Sequence, residues 1–175
     1  MDTSFIITFI GDDRPGLVEE LSAVISEQQG NWQESQLSQL AGKFAGLIQV
    51  SLPSNRGPDL EQALKALSAK GLSVRVHPIE SGSEVTTPLR GINLSILGPD
   101  RPGIVREVSA ALAARNINVV ELESNVESAP MSAEMLFRAS VEAQVSEDSD
   151  VDDLGDALED IANQMLLDIQ LESAP

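Results

Sequence analysis

The sequence predicts an α+β chain of two tandem domains, each an antiparallel sheet with two helices on one face. Three observations carry that prediction. The stretch Gly11-Asp12-Asp13-Arg14-Pro15-Gly16-Leu17-Val18 returns as Gly98-Pro99-Asp100-Arg101-Pro102-Gly103-Ile104-Val105, displaced by 98 − 11 = 87 positions in a chain of 175 residues. An apolar run precedes each copy, and Asn31 and Asn118 stand at the same offset beyond Gly16 and Gly103 (31 − 16 = 118 − 103 = 15). Both halves also show the same succession of apolar periods, which reads β-α-β-β-α-β. Self-similarity at a fixed displacement marks repeated architecture. The expected layout is domain 1 over 1–79, a linker over 80–89 and domain 2 over 90–175.

The first strand covers residues 4–10, apolar on both faces as suits a central strand. Arg14 is steered from helical dihedrals by Pro15, and proline is favoured at a first helical position, so a helix is expected to start there. Leu17, Val18, Leu21, Val24 and Ile25 form its apolar stripe. Gly30 is expected to end it in the left-handed conformation. From Trp32 to Gln39 the pattern is strand-like but polar, as for an edge strand. Ala41-Gly42-Lys43 reads as a hairpin, and Phe44, Gly46, Ile48, Val50 and Leu52 alternate along the returning strand. Asp59 is the expected N-cap of a second helix bearing Leu60, Ala63, Leu64 and Leu67, which Lys70-Gly71 closes. Leu72, Val74 and Val76 make the fourth strand. This order is the split βαβ arrangement of ferredoxin-like domains.

The second half follows suit. Its first helix carries Ile104, Val105, Val108, Ala111 and Leu112. Val120, Leu122 and Val126 alternate in the next strand, and Met135, Phe137, Ala139 and Val141 match the face led by Phe44. An acidic loop precedes a helix with Leu154, Ala157, Leu158 and Ile161, whose interior glycine, Gly155, is costly. Leu167, Ile169 and Leu171 lie in the last strand.

Composition narrows the function. With 42% hydrophobic and 22% charged residues the chain is of the ordinary globular class. The run Phe5 to Ile10 is too short to span a bilayer and lacks the basic flank of a secretory signal, so neither membrane nor export is expected and a cytoplasmic location is. Zero cysteines remove thiolate catalysis, thiolate metal sites and disulfides. The net charge of −17 is uneven: residues 1–79 hold nine acids and six bases (−3), residues 80–175 nineteen and five (−14). Direct nucleic-acid binding, which rests on Lys and Arg at phosphates, is not expected.

A strand-to-helix turn exposes backbone N–H groups, and Gly16 and Gly103 remove the side chain that would block them. Such a turn attracts an anion. A free amino acid offers a carboxylate to the turn and an ammonium for Asp13 or Asp100, while Asn31 or Asn118 can donate and accept. The same residues also suit structure alone, with the aspartates as helix caps and the glycines as turn residues. His77 lacks the partners of a metal site or triad and reads as a surface residue. Trp32 suits core packing or an interface. No set of residues supplies nucleophile, base and orienting group, so no catalysis, metal or cofactor is expected.

Strand, Asp-Arg-Pro-Gly-(Leu/Ile)-Val, apolar helix and asparagine-led strand resemble the ACT domain, over about residues 4–78 and 90–172. Two such domains in one chain are similar to the glycine cleavage system transcriptional repressor family. The resemblance implies amino-acid binding at an interface between domains, with Asp13, Gly16, Leu17 and Asn31, and Asp100, Gly103, Ile104 and Asn118, as ligand-binding positions. It also implies a transcription activator protein as partner and glycine as a candidate ligand, while the edge strands left open by the sheet order point to a homo-oligomer. Several amino-acid-binding members have histidine where this chain has Gly11 and Gly98, and asparagine where it has Asp13 and Asp100. Rival readings are a ligand-free interaction scaffold and a regulatory subunit of an amino-acid metabolic enzyme.

Overall fold

The computed structural model describes residues 1–80 and 87–175, in two compact units, Met1–Ser83 and Glu84–Pro175. The middle of the expected linker, residues 81–86, lies outside the described residues. Domain 1 runs β1 (Asp2–Asp12), α1 (Leu17–Glu27), β2 (Asn31–Leu40), β3 (Lys43–Pro53), α2 (Gly57–Lys65) and β4 (Ser73–Pro78). Domain 2 runs β5 (Leu89–Pro99), α3 (Ile104–Ala113), β6 (Asn118–Ser128), β7 (Met135–Ser146), α4 (Asp152–Met165) and β8 (Asp168–Ser173). β5 thus begins at Leu89, a residue expected in the linker. Each half is a four-stranded sheet, in the orders β2-β3-β1-β4 and β6-β7-β5-β8, with every pairing antiparallel. The fold is α+β and ferredoxin-like in both halves.

Helices on one face bury an aliphatic core in each domain. Leu17, Leu21 and Ile25 of α1 and Leu60 and Leu64 of α2 meet Ile7, Ile48, Val50 and Leu52 of the sheet. Ile104, Val108 and Leu112 of α3 and Leu154 and Leu158 of α4 meet Ile92, Leu94, Val141 and Val145. Val18 and Val105, expected within the buried stripes, are each 43% exposed. They sit one position round from the buried Leu17 and Ile104, at the margin of the helical face. No helix among the described residues is long and apolar enough to cross a membrane.

The turns differ instructively from their expected forms. Ala41 (φ 50°) and Gly42 (φ 79°) are both left-handed, the two-residue hairpin turn whose twist matches the strands it joins. α1 begins at Leu17 rather than Pro15, because Gly16 at φ 90° is not helical. At its other end Gln29, not Gly30, takes the left-handed position (φ 62°). The N–H of Gly30 donates to the Ile25 carbonyl at 2.8 Å and that of Gln29 to Ser26 at 2.9 Å, a Schellman closure. Gly30 is needed for closeness instead: a Cβ there would lie 2.9 Å from the Ile25 oxygen. Asn116 (φ 54°) closes α3 the same way, with Ile117 donating to Leu112 at 3.1 Å. Asp59 lies within α2, behind the N-cap Arg56, because a 3-10 turn over Ser54–Arg56 starts the coil earlier.

Candidate functional site

The repeated turns are fixed from the strand side. β1 ends with Asp12 opposite Lys43 in the ladder, and the N–H of Asp13 donates to the Gly42 carbonyl at 2.9 Å. In domain 2 the N–H of Asp100 donates to Met135 at 2.8 Å. Gly16 (φ 90°) and Gly103 (φ 97°) then reverse the chain in the left-handed region, which favours glycine. A Cβ at either would meet nothing within 4 Å, so the dihedral demands the glycine and the space above the turn stays open.

Glycines, Gly16 and Gly103, hold the N-cap positions of α1 and α3, and among the described residues no side-chain hydrogen bond caps either start. The first helical bond of α1 runs from Glu20 N–H to the Gly16 carbonyl, which leaves the N–H groups of the preceding turn without intrahelical acceptors. Asp13 and Asp100, one alternative for which was helix capping, therefore do not cap. A recess of about 330 Å³ opens at the domain 1 turn, lined by Asp13, Arg14, Gly16, Leu17, Val18, Glu19 and Phe44. Leu17 (3% exposed) and Ile104 (2%) are core plugs, so their part in any ligand contact is through backbone.

Electrostatics sort the charges of the recess. Arg14 grips Glu20 through two bonds, at 2.8 and 3.2 Å, and Lys70 adds a contact to Glu20 at 3.7 Å. The hydrogen bond from Arg14 holds the Glu20 carboxyl below the usual range, and Glu20 raises Arg14 in turn. Lys43 likewise lowers Asp12, with which it pairs. Asp13 and Glu19 enter no ion pair among the described residues. N–H donors and unpaired carboxylates thus lie side by side, a match for an amino-acid zwitterion. In domain 2 the place of Glu19 is taken by Arg106, so the second turn is the more favourable to an anion alone.

The asparagines are not brought to these turns. Asn31 pairs with Ser51, and Ser51 with Ser4 at the start of β1, nine positions before Asp13. Nine residues of strand amount to about 30 Å. Asn118 pairs with Gln144, and Gln144 with Gly91, again nine positions before Asp100. Within one domain the aspartate–glycine turn and the asparagine occupy opposite ends of the sheet and cannot share a small ligand. Sequence reading missed Phe44 and Val18 as lining residues. No sequence signal marks Phe44 as a lining residue; strand register brings it there, with Phe44 paired to Gly11 as Phe137 is to Gly98.

Trp32 is half-buried against the domain 1 core and donates to Ser35 Oγ at 3.1 Å. His77 is exposed, with Nε2 lying 3.2 Å from Thr8 Oγ1. Groups of three or more His, Cys, Asp and Glu placed to hold a metal are absent among the described residues.

Models of the ACT domain match residues 3–77 and 92–163. The crystal structure of an unknown protein from Galdieria sulphuraria is similar along its whole length, at 29% identity and TM-score 0.88, covering 100% of each chain. A solved protein described as a candidate glycine cleavage system transcriptional repressor is 17% identical with TM-score 0.70, covering 99% of this chain and 98% of that one. At that identity the likeness is one of fold. No curated protein matches the chain. With one matched domain in each half, the chain belongs to the ACT-domain family, whose regulatory modules typically bind small amino acids and oligomerise.

Proposed function

We propose that the protein is a non-catalytic, cytoplasmic regulator that senses a small amino acid, glycine being the first candidate, and reports it to a transcription activator protein. The observation that carries this reading is the duplicated turn: an uncapped helix N-terminus opened by a left-handed glycine, with an unpaired aspartate three positions before it. The ligand carboxylate meets the free N–H groups and its ammonium meets Asp13 or Asp100. Asn31 and Asn118, about 30 Å away along their own strands, contribute from a second copy of the chain. Ligand then favours one arrangement of the copies, a population shift. Association is supported by β6, an edge strand exposed throughout, on which Val119, Val120, Leu122 and Val126 are 36 to 50% exposed. The transcriptional half draws on the description of the candidate repressor of like fold. The acidic balance favours a protein partner over nucleic acid.

Thermal unfolding of the full chain against a panel of free amino acids tests the reading. A ligand at a hundred times its dissociation constant stabilises by about 2.7 kcal/mol. One small amino acid should raise the midpoint, and Asp13→Ala with Asp100→Ala should abolish the rise. No response to any amino acid removes the sensor reading.

A further inference from the structure

Domain 2 carries a second recess, away from the repeated turn. It holds about 320 Å³ between α4 and β8, with Leu158, Ala162, Ile169 and Leu171 in its lining and Gly155 in its helical wall. Glycine inside a helix is destabilising relative to alanine. A Cβ at Gly155 would meet nothing within 4 Å, and its dihedral is not left-handed, so the domain's own packing does not require glycine there.

Domain 1 shows the contrast. Buried Leu60 and Leu64 hold the places of Leu154 and Leu158, which sets Glu61 against Gly155 and Lys65 against Glu159. Glu61 and Lys65 close an ion pair at 2.7 Å on that face. In domain 2 the glycine deletes one partner and Glu159 reverses the charge of the other. Residues 152–173 hold seven carboxylates and no lysine or arginine. Of these, only Asp153 is in an ion pair among the described residues, with Arg115 at 2.8 Å. Among the described residues β8 is moreover an edge strand, bonded to β5 alone, so its outer N–H and C=O groups have no ladder partner there.

We propose that this groove docks a basic, extended segment of a partner protein. The segment adds a strand to β8, lays an apolar side chain against Gly155, and sets lysines or arginines beside Glu159 and Asp168. A second copy of the chain, at −17, would bring acid to acid. The proposal shares with the function above only the existence of a protein partner, and no residue of the amino-acid site enters it.

The probe is a labelled peptide alternating lysine and valine, titrated into the full chain alongside its glutamate counterpart. The lysine peptide should bind and the glutamate peptide should not. Gly155→Trp, which fills the groove, should weaken binding by about tenfold or more, the effect of losing one buried anchor. Glu159→Lys with Asp168→Lys should do the same without touching the helix packing, and N-methylation of alternate peptide amides should match it if a strand is added. The thermal response to amino acids should be unchanged in every variant. If the parent fails to bind, or folded Gly155→Trp or the methylated peptide binds as tightly as the reference, only general charge attraction is present and the groove is not a docking site. If the parent self-associates and Gly155→Trp prevents it, a second copy fills the groove and the proposal is wrong.

Discussion

Gly11 and Gly16 stand five positions apart and are glycine for different reasons, which their substitutions should separate. At Gly16 an added Cβ meets open space but φ is 90°, so Gly16→Ala should cost about 1 kcal/mol of strain. At Gly11 the Cβ would lie 2.7 Å from Leu72 Cδ2 and 3.1 Å from the Gly71 carbonyl. At Gly98 the contacts are 2.6 Å to Leu167 Cδ2 and 2.9 Å to the Leu166 oxygen. Here the obstacle is overlap with backbone, and urea titration should show Gly98→Ala losing about 1–3 kcal/mol, more than Gly16→Ala. A histidine, which the family resemblance allows at these positions, has no room in this chain as folded. Arg14 and Glu20 add a pH signature. Glu20 has its folded pKa lowered, so it contributes stability above its unfolded pKa and loses it as pH falls through the folded value. Arg14→Gln should therefore lower the unfolding midpoint at neutral pH, and its curve should converge with that of the parent as the medium is acidified.

Elements were legible where one face is buried and misread where the chain departs from a single period. The strands with a core face, β1, β3, β5 and β7, and the repeated order of elements follow from alternation and stripe. Strand β6 does not. Val120, Leu122 and Val126 alternate in sequence, yet the ladder shifts between Val119 and Glu121, so Val119 and Leu122 share a face and Val120 is the extra residue. The pattern of residue types carries no mark of that bulge. The ends of α1 and the start of α2 were misplaced by one to three residues, and α2 gives way at Ala66 to a 3-10 turn five residues before its expected stop, for a similar reason: a left-handed glycine and a 3-10 turn are backbone states that several residue types allow. Those states are also open to improvement. Leu166, 68% exposed, sits at φ 57° at the end of α4. Leu166→Gly should relieve roughly 1 kcal/mol of left-handed strain. Gly155→Ala, with an unobstructed Cβ, should gain about 1 kcal/mol by helix propensity. Both gains would be read as higher denaturation midpoints.

At the scale of the molecule the two domains share topology and differ in charge, −3 over residues 1–79 against −14 over 80–175. Self-repulsion in so acidic a half weakens with salt, so the unfolding midpoint should rise with ionic strength, and more for the second domain than for the first. The candidate site was half legible. Asp13, Gly16, Asp100 and Gly103 could be placed at strand-to-helix turns from the repeated motif. That Asn31 and Asn118 belong to the far end of the sheet follows only from register, which no local spacing reveals. This separation makes the account testable at its centre. Calorimetric titration of the responding amino acid, glycine first, should be run on the parent, on Asp13→Ala with Asp100→Ala, and on Asn31→Ala with Asn118→Ala. The account predicts that binding is lost in both variants, although their altered residues lie about 30 Å apart within a domain. Normal binding by the asparagine variant would contradict it and confine the site to the turn alone.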